Sequence, residues 1–221
     1  MIVTGLFYIL MPVSIILAFL WAPPAQILGE ASRIMYFHVP CAWVSTLAFI
    51  ISGIASIIFI YDKKKRFTFI EDKAHNSAVI GLMFTVLTVI TGSIWAKISW
   101  GSYWNWDPRE TSIVILLLIY IAYFSLRASL ENNPNRGRLT SAYLIFAMVT
   151  VPFLMFVIPR VYTSLHPDPI INPQRKINLD PAMRLTLTFT MVSFTLLFFY
   201  IFSLTNRLTG IKHKIEEKEY E

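Results

Sequence analysis

The chain has 221 residues, of which 56% are hydrophobic and 14% charged, and its formal net charge is +6. Soluble domains carry about 25% charged residues, so this composition excludes an ordinary soluble protein and favours an integral membrane protein. Cys41 is the only cysteine, which excludes an internal disulfide. The positive charge lies mainly in short connecting segments, so it does not indicate nucleic-acid binding, and no nucleic-acid partner is expected.

Six apolar segments are each long enough, or nearly so, to cross a bilayer as a helix. None contains Asp, Glu, Lys or Arg, and the fourth should begin a few residues before its apolar run. We therefore predict an all-α fold, a single membrane domain over residues 1–221 with six transmembrane helices. The apolar runs cover residues 2–22, 41–61, 76–96, 111–126, 139–158 and 185–204.

The distribution of basic residues predicts the orientation of these helices. Most of the 19 Lys and Arg residues follow the second and fourth runs or lie in the C-terminal tail. Cytoplasmic segments carry the excess of Lys and Arg, so both termini are predicted to be cytoplasmic. The outer loops then cover about 23–40, 97–110 and 159–182.

The second outer loop contains the sequence WGSYWNWDPRE at 100–110. Trp and Tyr collect at membrane–water boundaries, which is one explanation for such residues. However, Trp100, Tyr103 and Trp104 have i, i+3, i+4 spacing, so a single helical turn would place them on one face. Together with Trp106 they form a platform suited to a large flat ligand. Three other tryptophans fit the boundary explanation: Trp21, Trp43 and Trp95.

The end of the same loop predicts a helix start. Asp107 stands at the N-cap, a proline follows at the first helical position, and Glu110 occupies the third position. This is a capping-box pattern, so Asp107 and Glu110 are explained equally well as caps and as site residues. Asp180 and Pro181 predict the start of the sixth helix in the same way.

Two of the four histidines lie in the outer loops on either side of the tryptophan-rich loop. A lone histidine at a membrane edge is usually a structural group, but His38 and His166 bracket an aromatic platform. Imidazole is a common axial ligand of haem iron, whereas zinc normally takes three or four protein ligands. The pair therefore favours haem. The haem propionates would pair with Arg109, Arg33 or Arg184 by charge-assisted hydrogen bonds.

The remaining histidines, His75 and His213, lie in inner segments and are predicted to be solvated.

Several segments resemble those of the haem exporter protein C family of cytochrome c maturation. WGSYWNWDPRE is similar to the tryptophan-rich "WWD" signature of haem-handling membrane proteins. RIMYFHVP at 33–40, TGSIWAKISWG at 91–101, SLHP at 164–167 and LDPAMR at 179–184 are similar to further segments of that family. The resemblance covers nearly the whole chain.

The resemblance implies a membrane protein that binds haem b on the outer face of the bacterial inner membrane. His38 and His166 are then the axial ligands, and Trp100, Trp104, Trp106 and Asp107 belong to the haem platform. The expected partners are a periplasmic haem chaperone, ATP-binding-cassette subunits, a small membrane subunit and membrane lipid. The expected activity is binding and delivery of haem, without catalysis.

Two departures keep other functions open. Tyr103 stands where this family usually has tryptophan, and the DPRE ending is closer to larger relatives that act as cytochrome c synthetase subunits. The membrane core of a haem lyase is therefore one alternative. A haem transporter is another, although transporters usually carry polar or broken helices near the membrane midplane, and these apolar runs contain no charge.

Overall fold

The computed structural model describes residues 2–62, 69–166 and 179–219. These ranges contain six helices long and apolar enough to cross a membrane, which confirms the predicted all-α fold. The helices are α1 (Ile2–Ile16), α2 (Met35–Tyr61), α3 (Ile70–Trp100), α4 (Pro108–Ser129), α5 (Arg136–Pro152) and α6 (Pro181–Glu219).

Two of these helices change pitch near the end that carries the predicted outer loops. α1 continues as a π-helical turn at Leu17–Trp21, and α5 continues through a π-helical turn at Phe153–Val157 into Ile158–Val161. Pro152 lies at the second junction, where its missing N–H interrupts the regular hydrogen-bond ladder. Both spans are therefore longer than one regular helix: the first ends in a π-helical turn, and the second passes through one before a last regular turn.

The predicted loop boundaries are wrong in two places that affect the site. α3 runs to Trp100, and Gly101, with φ of 82°, ends it by donating its N–H to the Lys97 carbonyl at 3.1 Å. Glycine adopts this left-handed conformation without a steric penalty. α2 begins at Met35, so His38 lies in a helix rather than in a loop over 23–40.

Small residues allow the helices to approach closely. A Cβ added to Gly81 of α3 would come within 2.5 Å of the Phe49 ring of α2. Phe49 in turn stacks on Tyr120 of α4, with ring centroids 3.4 Å apart. Close approach at glycine is the usual means by which membrane helices gain van der Waals contact. α2, which carries the first predicted ligand, contacts α3, α5 and α6.

The two inner histidines are not simply solvated, contrary to prediction. The Nδ1 atom of His75 lies 3.0 Å from the Tyr123 hydroxyl oxygen. The Nε2 atom of His213 lies 3.0 Å from Oδ2 of Asp72, which ties the end of α6 to the start of α3. Both contacts lie at the end of the bundle opposite the tryptophan-rich loop, so His75 and His213 are natural control positions for tests of the site.

Candidate functional site

His38 is held by two neighbouring residues of α3. Its Nδ1 atom lies 3.0 Å from Oγ1 of Thr91, and that hydroxyl donates to the Leu87 carbonyl at 2.7 Å. Because the single hydroxyl hydrogen points to the carbonyl, the Thr91 oxygen accepts a hydrogen bond from Nδ1–H of His38. The Nε2 atom then carries the lone pair. Gly92 makes room for the ring, since an added Cβ would lie 2.9 Å from Cε1 of His38.

Asp107 begins α4, as the capping-box pattern predicts. Its carboxylate accepts the backbone N–H of Arg109 at 2.9 Å. The Glu110 carboxylate accepts the backbone N–H groups of Asp107 at 3.3 Å and of Asn105 at 2.7 Å. The cap is confirmed. It also accounts for the DPRE ending as a local helix start.

The same carboxylate holds a distant segment, residues 162–166. Leu165 donates its backbone N–H to Oδ2 of Asp107 at 2.7 Å, and the Ser164 hydroxyl donates to the same oxygen at 2.9 Å. His166 contributes Nδ1 at 3.0 Å from Oδ1. Asp107 is therefore both a helix cap and the anchor of the segment that carries the second predicted ligand, while its place in a haem platform stays a prediction.

Burial and hydrogen bonding set the charge states of this pair. Burial raises the pKa of Asp107, but the hydrogen bonds from the Arg109 and Leu165 backbone and from Ser164, together with the neighbouring His166, outweigh it, and the pKa lies below its ordinary value. Burial also lowers the pKa of His166 by more than the neighbouring Asp107 raises it. At neutral pH, a neutral imidazole thus donates Nδ1–H to an ionised carboxylate, and Nε2 carries the lone pair.

The fold brings the two predicted ligands to the end of α3 that leads into the tryptophan-rich segment: His38 lies beside Thr91 and Gly92, and His166 contacts Trp100, the last residue of that helix. The described residues contain no cluster of three or more His, Cys, Asp or Glu side chains able to hold a metal ion. A macrocycle that supplies its own equatorial nitrogens needs only two protein nitrogens. His38 and His166 offer that donor set, since each has its Nδ1 hydrogen-bonded and its Nε2 unprotonated.

The aromatic residues do not form the single helical face predicted for them. α3 ends at Trp100, so Tyr103 and Trp104 lie in a non-helical segment. Trp100 packs edge-on against the His166 ring, with centroids 4.8 Å apart. Tyr103 is exposed and lies under the Lys97 ammonium, 5.5 Å from the ring centroid.

Trp104 and Trp106 contact each other edge-to-face, with ring centroids 5.7 Å apart. Trp106 is 76% exposed and has a φ of 55°. A left-handed backbone is rare and strained for a bulky residue. The segment therefore holds a large indole at the surface in spite of a local conformational cost, which is typical of residues that bind a ligand or a partner.

The candidate arginines differ in their surroundings. Arg109 follows Asp107 by two residues and donates its backbone N–H to the carboxylate that also contacts Nδ1 of His166. Arg33 instead donates to the carbonyl oxygens of Ala18 and Ala22, and so binds the irregular end of α1. Among the propionate partners considered, Arg109 is thus placed near a predicted ligand, while Arg33 is engaged in holding helices together.

Sequence reasoning missed Thr91, Gly92 and Ser164. The first two lie in TGSIWAKISWG and the third in SLHP, but nothing in a single sequence pairs them with a particular histidine. The sequence signal for Thr91 and Gly92 was weak: a hydroxyl residue stands beside a glycine near the outer end of a predicted span.

Six apolar helices define the chain as a multi-pass helical membrane protein. At one end of the bundle, two histidines, each hydrogen-bonded to its own partner, form a candidate site for a planar metal complex. The sequence matches the family Heme exporter protein C over residues 1–221, and the chain belongs to that family. This confirms the resemblance noted in its motifs. Family membership gives the protein a role in haem handling during cytochrome c maturation. Its membrane-length helices, together with its bacterial relatives, place it in the bacterial inner membrane.

Individual relatives agree with this assignment. A "Putative cytochrome c biosynthesis ccmC-like mitochondrial protein" of Marchantia polymorpha is 31% identical over 183 residues, covering 82% of this chain and 76% of the relative. Heme exporter protein C of Bradyrhizobium diazoefficiens is 30% identical over 177 residues, covering 80% and 66% respectively. The Escherichia coli K12 protein of the same name is 29% identical over 189 residues, covering 86% and 74%.

Proposed function

We propose that this protein binds haem b at the outer face of the membrane, with His38 and His166 as axial ligands, and delivers it to a periplasmic haem chaperone. The observation that carries the proposal is that both imidazoles are hydrogen-bonded through the same ring nitrogen. Each uses Nδ1 in a hydrogen bond, to Thr91 or to Asp107. Hydrogen bonds of this kind orient metal-binding histidines and leave Nε2 for the iron.

The surrounding side chains divide the remaining tasks. Trp100 restrains the His166 ring by edge-on contact. The exposed indole of Trp106, with Trp104 beside it, offers flat apolar surface to the macrocycle, and Tyr103 extends this surface toward Lys97. The Arg109 guanidinium is the proposed partner of a propionate, since Arg109 lies two residues after Asp107, which contacts His166.

The orientation and the partners are part of the same proposal. The excess of Lys and Arg at the opposite end of the bundle supports a cytoplasmic position for that end and for both termini. The tryptophan-rich segment then faces the periplasm, where an acceptor protein can reach it. ATP-binding-cassette subunits and a small membrane subunit are the proposed partners within the membrane, beside lipid. The protein's contribution is binding and orientation of the cargo, without a catalytic group of its own.

The proposal is tested by the absorption spectrum of detergent-purified protein loaded with haem. Wild type should give the low-spin pattern of bis-histidine ligation. His38→Ala and His166→Ala should each convert it to a five-coordinate or exchangeable form. His75→Ala is the control, because that ring lies at the other end of the bundle, and it should leave the spectrum unchanged. A wild type that cannot be loaded, or a spectrum that neither outer substitution alters, overturns the proposal.

A further inference from the structure

We propose that the two axial bonds are unequal: His166 is the retained ligand, and His38 is the one that an acceptor displaces first. This inference rests on the proposed function and adds the order in which the ligands leave. The displacement is a simple exchange. The bond from His38 Nε2 to the iron breaks, and a nitrogen or oxygen donor of the acceptor binds in its place, with no change of oxidation state.

The partner of His166 is an anion held firmly in place. Asp107 is 3% exposed, and its carboxylate also accepts hydrogen bonds from Ser164, Leu165 and the first turn of α4. A carboxylate that accepts Nδ1–H increases the electron density at Nε2 and makes the imidazole a stronger ligand. The same network fixes the position of the segment that carries His166, so this ligand is both basic and anchored.

The partners of His38 are neutral groups, the Thr91 hydroxyl and the backbone carbonyl of Thr88. Thr91 donates its own hydrogen to Leu87 and offers only an oxygen lone pair to Nδ1–H of His38. Hydrogen bonds between neutral groups are roughly half as strong as charge-assisted ones. His38 is therefore oriented by its helix and by Gly92, but it gains little basicity, and its bond to the iron is the weaker of the two.

The inequality has a direct consequence for transfer. If one axial bond is weaker, exchange begins at that face of the macrocycle, and the other bond keeps the cargo on the donor until the acceptor is attached. A symmetric pair would open at either face. The asymmetry in hydrogen-bond partners thus gives the handover a defined direction.

The experiment uses carbon monoxide as the displacing ligand on the reduced, haem-loaded protein. After photolysis of the bound gas, resonance Raman spectroscopy records the iron–histidine stretch of the ligand that was retained. We expect Asp107→Asn to lower this frequency, because a neutral amide replaces the anion while still capping α4. Thr91→Val should leave the frequency unchanged and raise the rate of carbon monoxide binding.

Equilibrium retention of haem gives a second readout. Loss of a partner that orients a metal ligand typically costs 10- to 100-fold in affinity, and we expect this range for Asp107→Asn. Loss of one neutral hydrogen bond corresponds to roughly fivefold, the change expected for Thr91→Val. Asp180→Asn and Thr205→Val are matched controls, since Asp180 caps α6 and Thr205 donates to the carbonyl four residues earlier.

The possible results distinguish the inferred order of ligand release from the proposed function of haem binding. A stretch that shifts in Thr91→Val but not in Asp107→Asn identifies His38 as the retained ligand and overturns the inference. A stretch that shifts in neither, with both histidines shown to be ligands by their alanine variants, also overturns it and leaves the proposed function intact. If neither alanine variant changes the haem spectrum, the proposed function itself fails.

Discussion

Replacing Asp107 by alanine tests the double role that the structure gives to this carboxylate. The substitution removes the cap of α4, and it also removes the acceptor for Leu165, Ser164 and His166. The first loss is local, whereas the second releases a segment almost sixty residues away in sequence. Segment 162–166 should therefore open far more often in the variant than in the wild type.

The free-energy cost of Asp107→Ala can be worked out from the hydrogen bonds that the substitution removes. Loss of an N-cap aspartate costs about 1 kcal/mol, and each hydrogen bond to a charged group contributes about 1.5–3 kcal/mol. Water replaces part of the lost bonds when the segment opens, so the bonds to 162–166 do not add fully. We expect a cost of about 3 kcal/mol for local opening, which corresponds to roughly a 100-fold change in the opening equilibrium.

Amide hydrogen exchange at Leu165 is the direct assay, since its N–H donates to Asp107 at 2.7 Å. Exchange should accelerate by roughly 100-fold in Asp107→Ala, while amides of α2 remain protected. Asp180→Ala is the matched control, because that residue caps α6 through the Ala182 N–H at 2.8 Å and should leave Leu165 unaffected. Equal exchange at Leu165 in wild type and Asp107→Ala would refute the anchoring role.

Three further outcomes are expected. Gly92→Ala should displace the His38 ring, because the added Cβ lies 2.9 Å from its Cε1, and should weaken haem retention by roughly tenfold in a spectral titration. The contribution of His166 and Asp107 to the free energy of unfolding should be fully present above about pH 6.5 and decrease as the pH is lowered, as measured by fluorescence-monitored unfolding. The fold lowers the pKa of His166 below its ordinary value of 6.5 and that of Asp107 below 3.8. As the pH falls past each ordinary value, the unfolded chain binds a proton that the folded chain does not yet bind, and the free energy of unfolding decreases. Trp106→Gly should relieve the left-handed backbone by about 1 kcal/mol and leave thermal stability equal or higher, while haem retention falls.

Each of these outcomes has a result that contradicts it. Gly210→Ala is the control for the glycine substitution, because nothing lies within 4 Å of an added Cβ there; equal effects at both positions would show that crowding of the imidazole is not the cause. Unfolding that becomes easier as the pH rises from 5 to 7 would mean that the charge state of His166 is wrong, and unfolding that becomes harder below about pH 3.8 would mean the same for Asp107. Unchanged haem retention in Trp106→Gly would remove that indole from the platform.

The number of spans was predictable from sequence because the length of an apolar run is a local property, and a bilayer sets one threshold for all runs. The start of α4 was predictable for the same reason. A cap depends on residues within one turn, and Asp107, Pro108 and Glu110 are adjacent in the chain. The choice of His38 and His166 came from their position beside the aromatic loop and from the family resemblance, and it stays a prediction that the haem spectrum tests.

The chain alone could not show which side chain orients each imidazole. The contact between His38 and Thr91 spans 53 residues, and that between Asp107 and His166 spans 59. Each depends on the rotation and register of two packed helices, or on a segment that folds back onto a helix start. The predicted helical face at 100–104 failed because Gly101 stops α3 one residue after Trp100. Sequence patterns report which residues are near in the chain, whereas the donors and acceptors of a buried polar network are chosen by packing, because only the assembled fold excludes the water that would otherwise satisfy them.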